Sequence, residues 1–187
     1  SLDLNTYFIL ALNNEPNISV IDPLFGFGGS KLYTLIPLKS PGEDWVLSSD
    51  NKRLYVSMPA VNQVAVIDVR SWKLLANVDA GVKPSRVVLQ HDGRYLWVGN
   101  DATAANESGV TVIDTVTNKP VGHITTGHGH HEIVLNDDDT FAFVTNKACS
   151  TFSVSDVRKL DAVTEIATGK EPAAIAYSSL GKAVYVV

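Results

Sequence analysis

A short unit repeats along this chain, and the repetition constrains the fold more than any other feature of the sequence. The tripeptide Val20-Ile21-Asp22 returns as Val66-Ile67-Asp68, as Val112-Ile113-Asp114 and, more loosely, as Val154-Ser155-Asp156. The aspartates are 46, 46 and 42 residues apart. A second set of anchors, Leu47, Leu89, Leu135 and Tyr177, follows at spacings of 42, 46 and 42 residues. Two independent anchors that keep one register indicate a repeat architecture.

Two insertions account for the longer spacings, so the core unit is about 42 residues long. One insertion is the glycine-rich stretch Pro23–Ser30 and the other is Asp101–Ser108. The predicted units are residues 1–46, 47–88, 89–134 and 135–176, with the start of a fifth at 177–187. We interpret them as parts of one domain that covers residues 1–187.

Each unit is predicted to hold four short strands. Along residues 85–125, most of which belong to the third unit, these are Ser85–Gln90, Arg94–Gly99, Gly109–Asp114 and Lys119–Thr125, rich in Val, Ile and aromatic residues and bounded by turn residues. No window of ten or more residues has a 3.6-residue periodicity, so helices should be almost absent. Four strands in each repeat of this length are typical of a β-propeller blade. The sequence therefore predicts an all-β propeller with about four antiparallel blades.

The repeats resemble the YVTN-repeat propeller family. Phe143-Val144-Thr145-Asn146 is close to the tetrapeptide that names the family, and Gly-x-x-Pro opens two units at Gly81 and Gly169. Because such propellers form rings of seven or eight blades, the resemblance implies that this chain is about half of a larger ring. Missing blades, or another chain, would then complete it.

Composition excludes some classes of function. The 187 residues are 45% hydrophobic with a formal net charge of −5, and Lys and Arg are scattered singly, which argues against nucleic-acid binding. The longest apolar stretch, Tyr7–Leu12, is far shorter than the roughly 18 residues of a membrane span. The single cysteine, Cys149, rules out an internal disulfide and a multi-cysteine zinc site. Trp45, Trp72 and Trp97 are predicted on strands, where they pack between blades.

A histidine cluster is the main candidate for chemistry. His128, His130, His131 and Glu132 lie where the chain enters the innermost strand of a unit, so they should surround one mouth of the central channel. Imidazole suits copper, zinc and iron, and Glu132 could add an oxygen ligand. On extended backbone His128 and His130 share a face and His131 points the other way, unless Gly129 bends the chain. The alternative is a polar loop that binds no ion.

The same cluster is similar to the histidine pair of the copper-cluster blades in nitrous oxide reductase. It is also similar to the propellers of other periplasmic copper or haem oxidoreductases. This resemblance reaches only His130 and His131, and it implies copper, or alternatively haem iron, and a periplasmic or extracellular location.

Charged residues at the same predicted mouth form a second candidate site. Glu43, Asp44 and Arg86 could bind a small polar ligand, or they could simply be the charges of a wet channel entrance. The recurring aspartates 22, 68, 114 and 156 are better explained as caps of turns than as catalysts.

Three functions remain open on the sequence alone. The first is a rigid binding module that holds a small molecule or a protein at its axial mouth, with a metal site there. The second is part of a copper- or haem-dependent oxidoreductase that uses His128, His130 and His131. A hydrolase or lactonase ranks last, because only Glu43, Asp44 and Glu132 could serve as its acidic metal ligands.

Overall fold

The computed structural model describes residues 7–24, 29 and 31–187, and in them the chain forms five antiparallel sheets. The first sheet holds β1 (Ile9–Leu12), β2 (Asn17–Asp22) and β3 (Lys31–Pro37). The second holds β4 (Trp45–Leu47), β5 (Arg53–Met58), β6 (Gln63–Asp68) and β7 (Lys73–Asp79). The third holds β8 (Pro84–Leu89), β9 (Tyr95–Asn100), β10 (Gly109–Asp114) and β11 (Lys119–Thr125). The fourth holds β12 (Ile133–Leu135), β13 (Phe141–Asn146), β14 (Thr151–Asp156) and β15 (Asp161–Ala167), and the fifth β16 (Ile175–Ser178) and β17 (Ala183–Val186).

This architecture is the predicted β-propeller of four-stranded blades. Strands pair in chain order within each complete sheet, and the first strands β4, β8, β12 and β16 of successive sheets are neighbours. The strands predicted for the third unit agree with the structure to within one residue at each end. The described residues contain no α-helix, only single 3₁₀ turns at Pro59–Val61 and Lys147–Cys149. Neither turn is long enough to cross a membrane as a helix. Most of the first insertion, residues 25–28 and 30, lies outside the described residues.

Apolar side chains fill the space between successive blades. Separate core clusters join the first and second, the second and third, and the third and fourth sheets. Trp97 on β9 is fully buried in the third cluster, beside Leu135 and Val144 of the next blade. Trp45 lies on β4 as predicted, but Trp72 does not lie on a strand. It occupies the turn after β6 with a φ of 56°, where its ring meets Phe8 edge-on.

The recurring aspartates cap turns, which confirms their predicted structural role. The Oδ1 atom of Asp68 accepts a hydrogen bond from the Arg70 backbone N–H at 2.8 Å. The same contact recurs at Asp22, Asp114 and Asp156 with the residue two positions on. Because backbone N–H groups stabilise the charged carboxylate, the pKa values of Asp68, Asp114 and Asp156 lie below their usual range.

Trp97 gives a direct test of how the blades hold together. Trp97→Ala should lower the free energy of unfolding by about 3–5 kcal/mol, because it opens a cavity between two blades. Leu180→Ala, at a fully exposed position, should change it by less than about 0.5 kcal/mol. Chemical denaturation measures both. Equal, small effects would show that the blades do not depend on this contact.

Candidate metal site at the axial mouth

Three equivalent residues on successive blades meet at the axis. Asp44 directly precedes β4, Arg86 lies on β8, and Glu132 directly precedes β12. Each is opposite the same position of the neighbouring strand: Asp44 pairs with Ser57, Arg86 with Gly99 and Glu132 with Thr145. The shared register turns all three side chains toward one another, as the repeat predicted.

These side chains form a continuous chain of alternating charge. Asp44 Oδ2 is 3.5 Å from Arg86 Nη1, and Arg86 Nε is 3.0 Å from Glu132 Oε2. Glu132 Oε1 is 3.1 Å from His130 Nε2. His130 Nδ1 is in turn 2.9 Å from Asp101 Oδ2. His130 therefore lies between two carboxylates, one from its own segment and one from the preceding blade.

Two glycines make room for this arrangement. A Cβ on Gly99 would lie 3.2 Å from the Cβ of His131 and 3.3 Å from that of Arg86. Gly129 has a φ of 100°, and a Cβ there would lie 2.5 Å from the backbone nitrogen of Ala148. The bend that the sequence allowed at Gly129 is thus present, and it sets the course of the segment that carries His130.

His130 carries an extra proton in this setting. The hydrogen bond to Asp101 is the largest influence and, with the carboxylate of Glu132, raises the pKa of His130 from 6.5 to about 9, although partial burial opposes this. Both ring nitrogens face carboxylate oxygens, so both donate when the imidazole is protonated. At neutral pH His130 is therefore an imidazolium.

The pKa values of two carboxyl groups near His130, those of Glu43 and Asp101, shift in opposite directions. Glu43 is exposed at the surface, and its partial desolvation by neighbouring groups raises its pKa. The charge of Asp101 adds to this effect, while His130 and Lys83 oppose it. Burial also works to raise the pKa of Asp101, but its hydrogen bonds with His130 and Ser85 outweigh it, so the pKa is lowered. The Ser85 hydroxyl donates to the Gly99 carbonyl oxygen, 3.4 Å away. Among the described residues, Asp101 Oδ1 is buried and has no partner within hydrogen-bond geometry.

Glu43, Asp101 and His130 come together closely enough to share one ion. Each offers one ligand atom, and these atoms all lie within 4.8 Å of one another. The three residues come from the segment before β4, the loop after β9 and the segment before β12. Two carboxylates and one imidazole are donors that divalent transition-metal ions accept.

The structure separates the other predicted ligands from this group. His131 is fully buried; its Nδ1 is 2.8 Å from the Thr145 carbonyl oxygen and its Nε2 is 3.1 Å from Ser108 Oγ. Burial lowers its pKa, so it is a neutral core histidine with both nitrogens hydrogen-bonded. His128 lines the same cavity as His130, but no described carboxylate contacts its ring. Glu132 contacts the Nε2 edge of His130, away from Asp101.

Sequence reasoning missed Asp101. It is the first residue of the insertion Asp101–Ser108, which occurs in only one of the repeat units, so the comparison of repeats gave it no equivalent. The available signal was the position of that insertion, on the loop beside the histidine cluster. Of the predicted ligand-binding residues, Asp44 and Arg86 join the charge chain and Glu43 joins the group of three.

A surface cavity of about 420 Å³ opens beside this group. Lys83, Asp101, Thr103, His128 and His130 are among the residues that line it. Asp101 and His130 are partly buried, whereas Glu43 is exposed and does not line this cavity. Accessible donors are typical of sites that exchange ligands, whereas a structural ion is usually closed off by protein.

Comparisons with known proteins identify the fold only. No protein-family model and no curated protein matches the sequence. Hydrazine synthase from Kuenenia stuttgartiensis is similar in structure, with a TM-score of 0.79 and 18% identity over 97% of this chain and 52% of the other. The dihydro-heme d1 dehydrogenase NirN, solved in complex with DHE, gives 0.73 and 17% over 96% of this chain and 39% of NirN. This chain thus spans about half, or less, of each of these proteins, and its membership of the YVTN-repeat family stays a prediction.

The titration of His130 tests the geometry of the charge chain. Asp101→Asn should lower the pKa of His130 from about 9 toward 6.5, because it removes the carboxylate with the largest influence. Asp139→Asn is the matched control, since Asp139 pairs with His91 at 2.7 Å on a different hairpin. NMR of the imidazole protons measures both. An unchanged His130 titration in Asp101→Asn would contradict the contact.

The same shift predicts a pH dependence of stability. The pKa of His130 is higher in the folded chain than the ordinary 6.5. Its contribution to the free energy of unfolding is therefore fully present below pH 6.5 and is lost as the pH rises through about 9. The difference in unfolding free energy between the protein and His130→Gln should therefore shrink over this interval. Urea denaturation at a series of pH values checks this, and a difference that grows with pH would refute it.

Proposed function

We propose that this protein is a β-propeller binding module that holds a divalent metal ion at its axial mouth, with Glu43, Asp101 and His130 as ligands. The observation that carries this proposal is the convergence of their three donor atoms within 4.8 Å from three separate segments. The predicted function is retained, while the predicted ligand set changes: His130 stays, and Asp101 and Glu43 join it.

The charges of Glu43 and Asp101 favour binding of a cation between them. The raised pKa of the exposed Glu43 reflects partial desolvation and the nearby charge of Asp101, so a positive charge placed between the two carboxylates would be favoured. In the metal-free protein the His130 proton supplies part of that charge. A ligating imidazole has to be neutral, so an incoming ion would displace this proton.

The donor set narrows the choice of metal. Two carboxylate oxygens and one imidazole nitrogen suit Zn²⁺, Mn²⁺, Fe²⁺ and Cu²⁺, while the absence of sulfur from the group disfavours Cu⁺. Among divalent ions Cu²⁺ binds most nitrogen and oxygen sites tightest, so copper remains the proposed ion of highest affinity. Glu132, on the other edge of the ring, would orient His130 rather than bind the ion.

Zinc titration tests the ligand set. The protein should bind one Zn²⁺, and Asp101→Asn or His130→Ala should weaken the affinity by at least about 100-fold, because even residues that only orient a ligand contribute about 10–100-fold. Isothermal titration calorimetry and elemental analysis measure affinity and stoichiometry.

His128→Ala is the matched control, because His128 lines the same cavity without contacting a described carboxylate. It should leave the affinity for Zn²⁺ unchanged. A protein that takes up no metal, or a His128→Ala variant as impaired as His130→Ala, would refute the proposal.

A second candidate function is part of a haem-dependent oxidoreductase. The likeness to NirN, a dihydro-heme d1 dehydrogenase solved in complex with DHE, favours it. In this role His130 would have to give up one of its two carboxylate contacts to bind iron. Added haem should then produce a shifted Soret band in the protein and not in His130→Ala. The same band in both would exclude His130 as the haem ligand.

We further propose a periplasmic or extracellular location and completion of the ring by other blades. The resemblance to YVTN-type and periplasmic propellers supports the location. The length of the similar structures, of which this chain covers 52% and 39%, supports the completion of the ring.

A further inference from the structure

A lysine is fixed beside the three proposed ligands. Lys83 lies in the segment before β8, and its backbone has a φ of 50°. Its N–H donates to Asn62 Oδ1 at 2.8 Å, and its carbonyl oxygen accepts from the N–H of Asp101 at 3.0 Å. The backbone of Lys83 is therefore tied directly to that of one proposed ligand.

The ammonium group of Lys83 is not neutralised by the carboxylates around it. In the part of the chain that the structure describes, Lys83 forms no ion pair, although Arg86 and His130 both do so at the same mouth. Its charge still acts on Glu43, whose pKa it helps to lower against the effect of partial desolvation. Lys83 also lines the cavity of about 420 Å³, together with Asp101, His128 and His130.

From these contacts we propose that the mouth cavity binds a small carboxylate, with one oxygen on the metal ion and the other on the ammonium group of Lys83. This inference rests on the proposed metal site. Three protein donors leave coordination positions of a transition-metal ion open, and an anionic oxygen is a ligand that such ions accept. Lys83 supplies the second point of recognition.

The charges at the mouth make this binding depend on the metal. Without a metal ion, the carboxylates at the mouth outnumber the cations by four to three, so an added carboxylate would be repelled. The carboxylates are those of Glu43, Asp44, Asp101 and Glu132, and the cations are Lys83, Arg86 and His130. The two positive charges of a divalent ion would offset that excess. The carboxylate should therefore bind only after the metal.

Cobalt-loaded protein allows a direct experiment, because the visible spectrum of Co²⁺ responds to a change of ligand. Acetate is the probe and neutral acetamide its control. Acetate should change the spectrum to a saturating limit, and acetamide should not. Lys83→Met, which keeps much of the side-chain stem, should weaken acetate binding by about tenfold, as expected for loss of one charge-assisted contact. It should not weaken Co²⁺ binding, because it removes a positive charge from beside a proposed ligand.

Lys170→Met is the matched control, since Lys170 precedes β16, the first strand of the fifth sheet, and does not line the cavity. It should bind acetate as the unaltered protein does. If Co²⁺ binds but acetate has no effect, or acts equally on Lys83→Met, this inference is wrong and the metal site stands. If Co²⁺ does not bind, both the metal site and the carboxylate site are refuted.

Discussion

Burial of apolar surface between neighbouring blades is the constraint on which the rest of the structure depends. The second and third sheets present apolar side chains to the sheets on either side, and the first and fourth sheets to one neighbour each. These side chains are covered only when the blades stack in register. Fully buried residues such as Val56, Val98 and Val144 occupy the same position on the second strand of successive blades. The fixed register in turn places Asp44, Arg86 and Glu132 side by side at the axis.

The candidate metal site also depends on one local departure from the repeat, the insertion Asp101–Ser108, which contributes a proposed ligand. Asp101 begins an insertion that the other described units lack at that point. Ser108, at the end of this insertion, contacts the buried His131 and the carbonyl oxygen of Gly127. His131 thus helps to anchor the loop that brings Asp101 to His130, a structural role that explains its burial. The site depends on this loop as much as on the blades.

Much of the fold could be predicted from the sequence, because equivalent residues of a repeat recur at regular spacings and can be aligned with one another. The strand bounds of the third unit, the aspartate caps and the alignment of Asp44, Arg86 and Glu132 all follow from the spacing of equivalent residues. The site was harder to predict. His131 does turn away from His130, but the segment that carries both is bent at Gly129 and is not a strand, so alternation does not account for it. Contacts between a loop and the next blade have no sequence period. Trp72 was predicted on a strand but lies in a turn with positive φ, although it does pack against the core between the first two blades.

The most direct test of the account is a crystal structure of the zinc-loaded protein with anomalous diffraction at the zinc edge. The proposed metal site predicts a single strong peak at about 2.0–2.2 Å from a ring nitrogen of His130 and from carboxylate oxygens of Asp101 and Glu43. A peak at His128 instead, or no peak at the mouth while His130 still bridges Asp101 and Glu132, would contradict it.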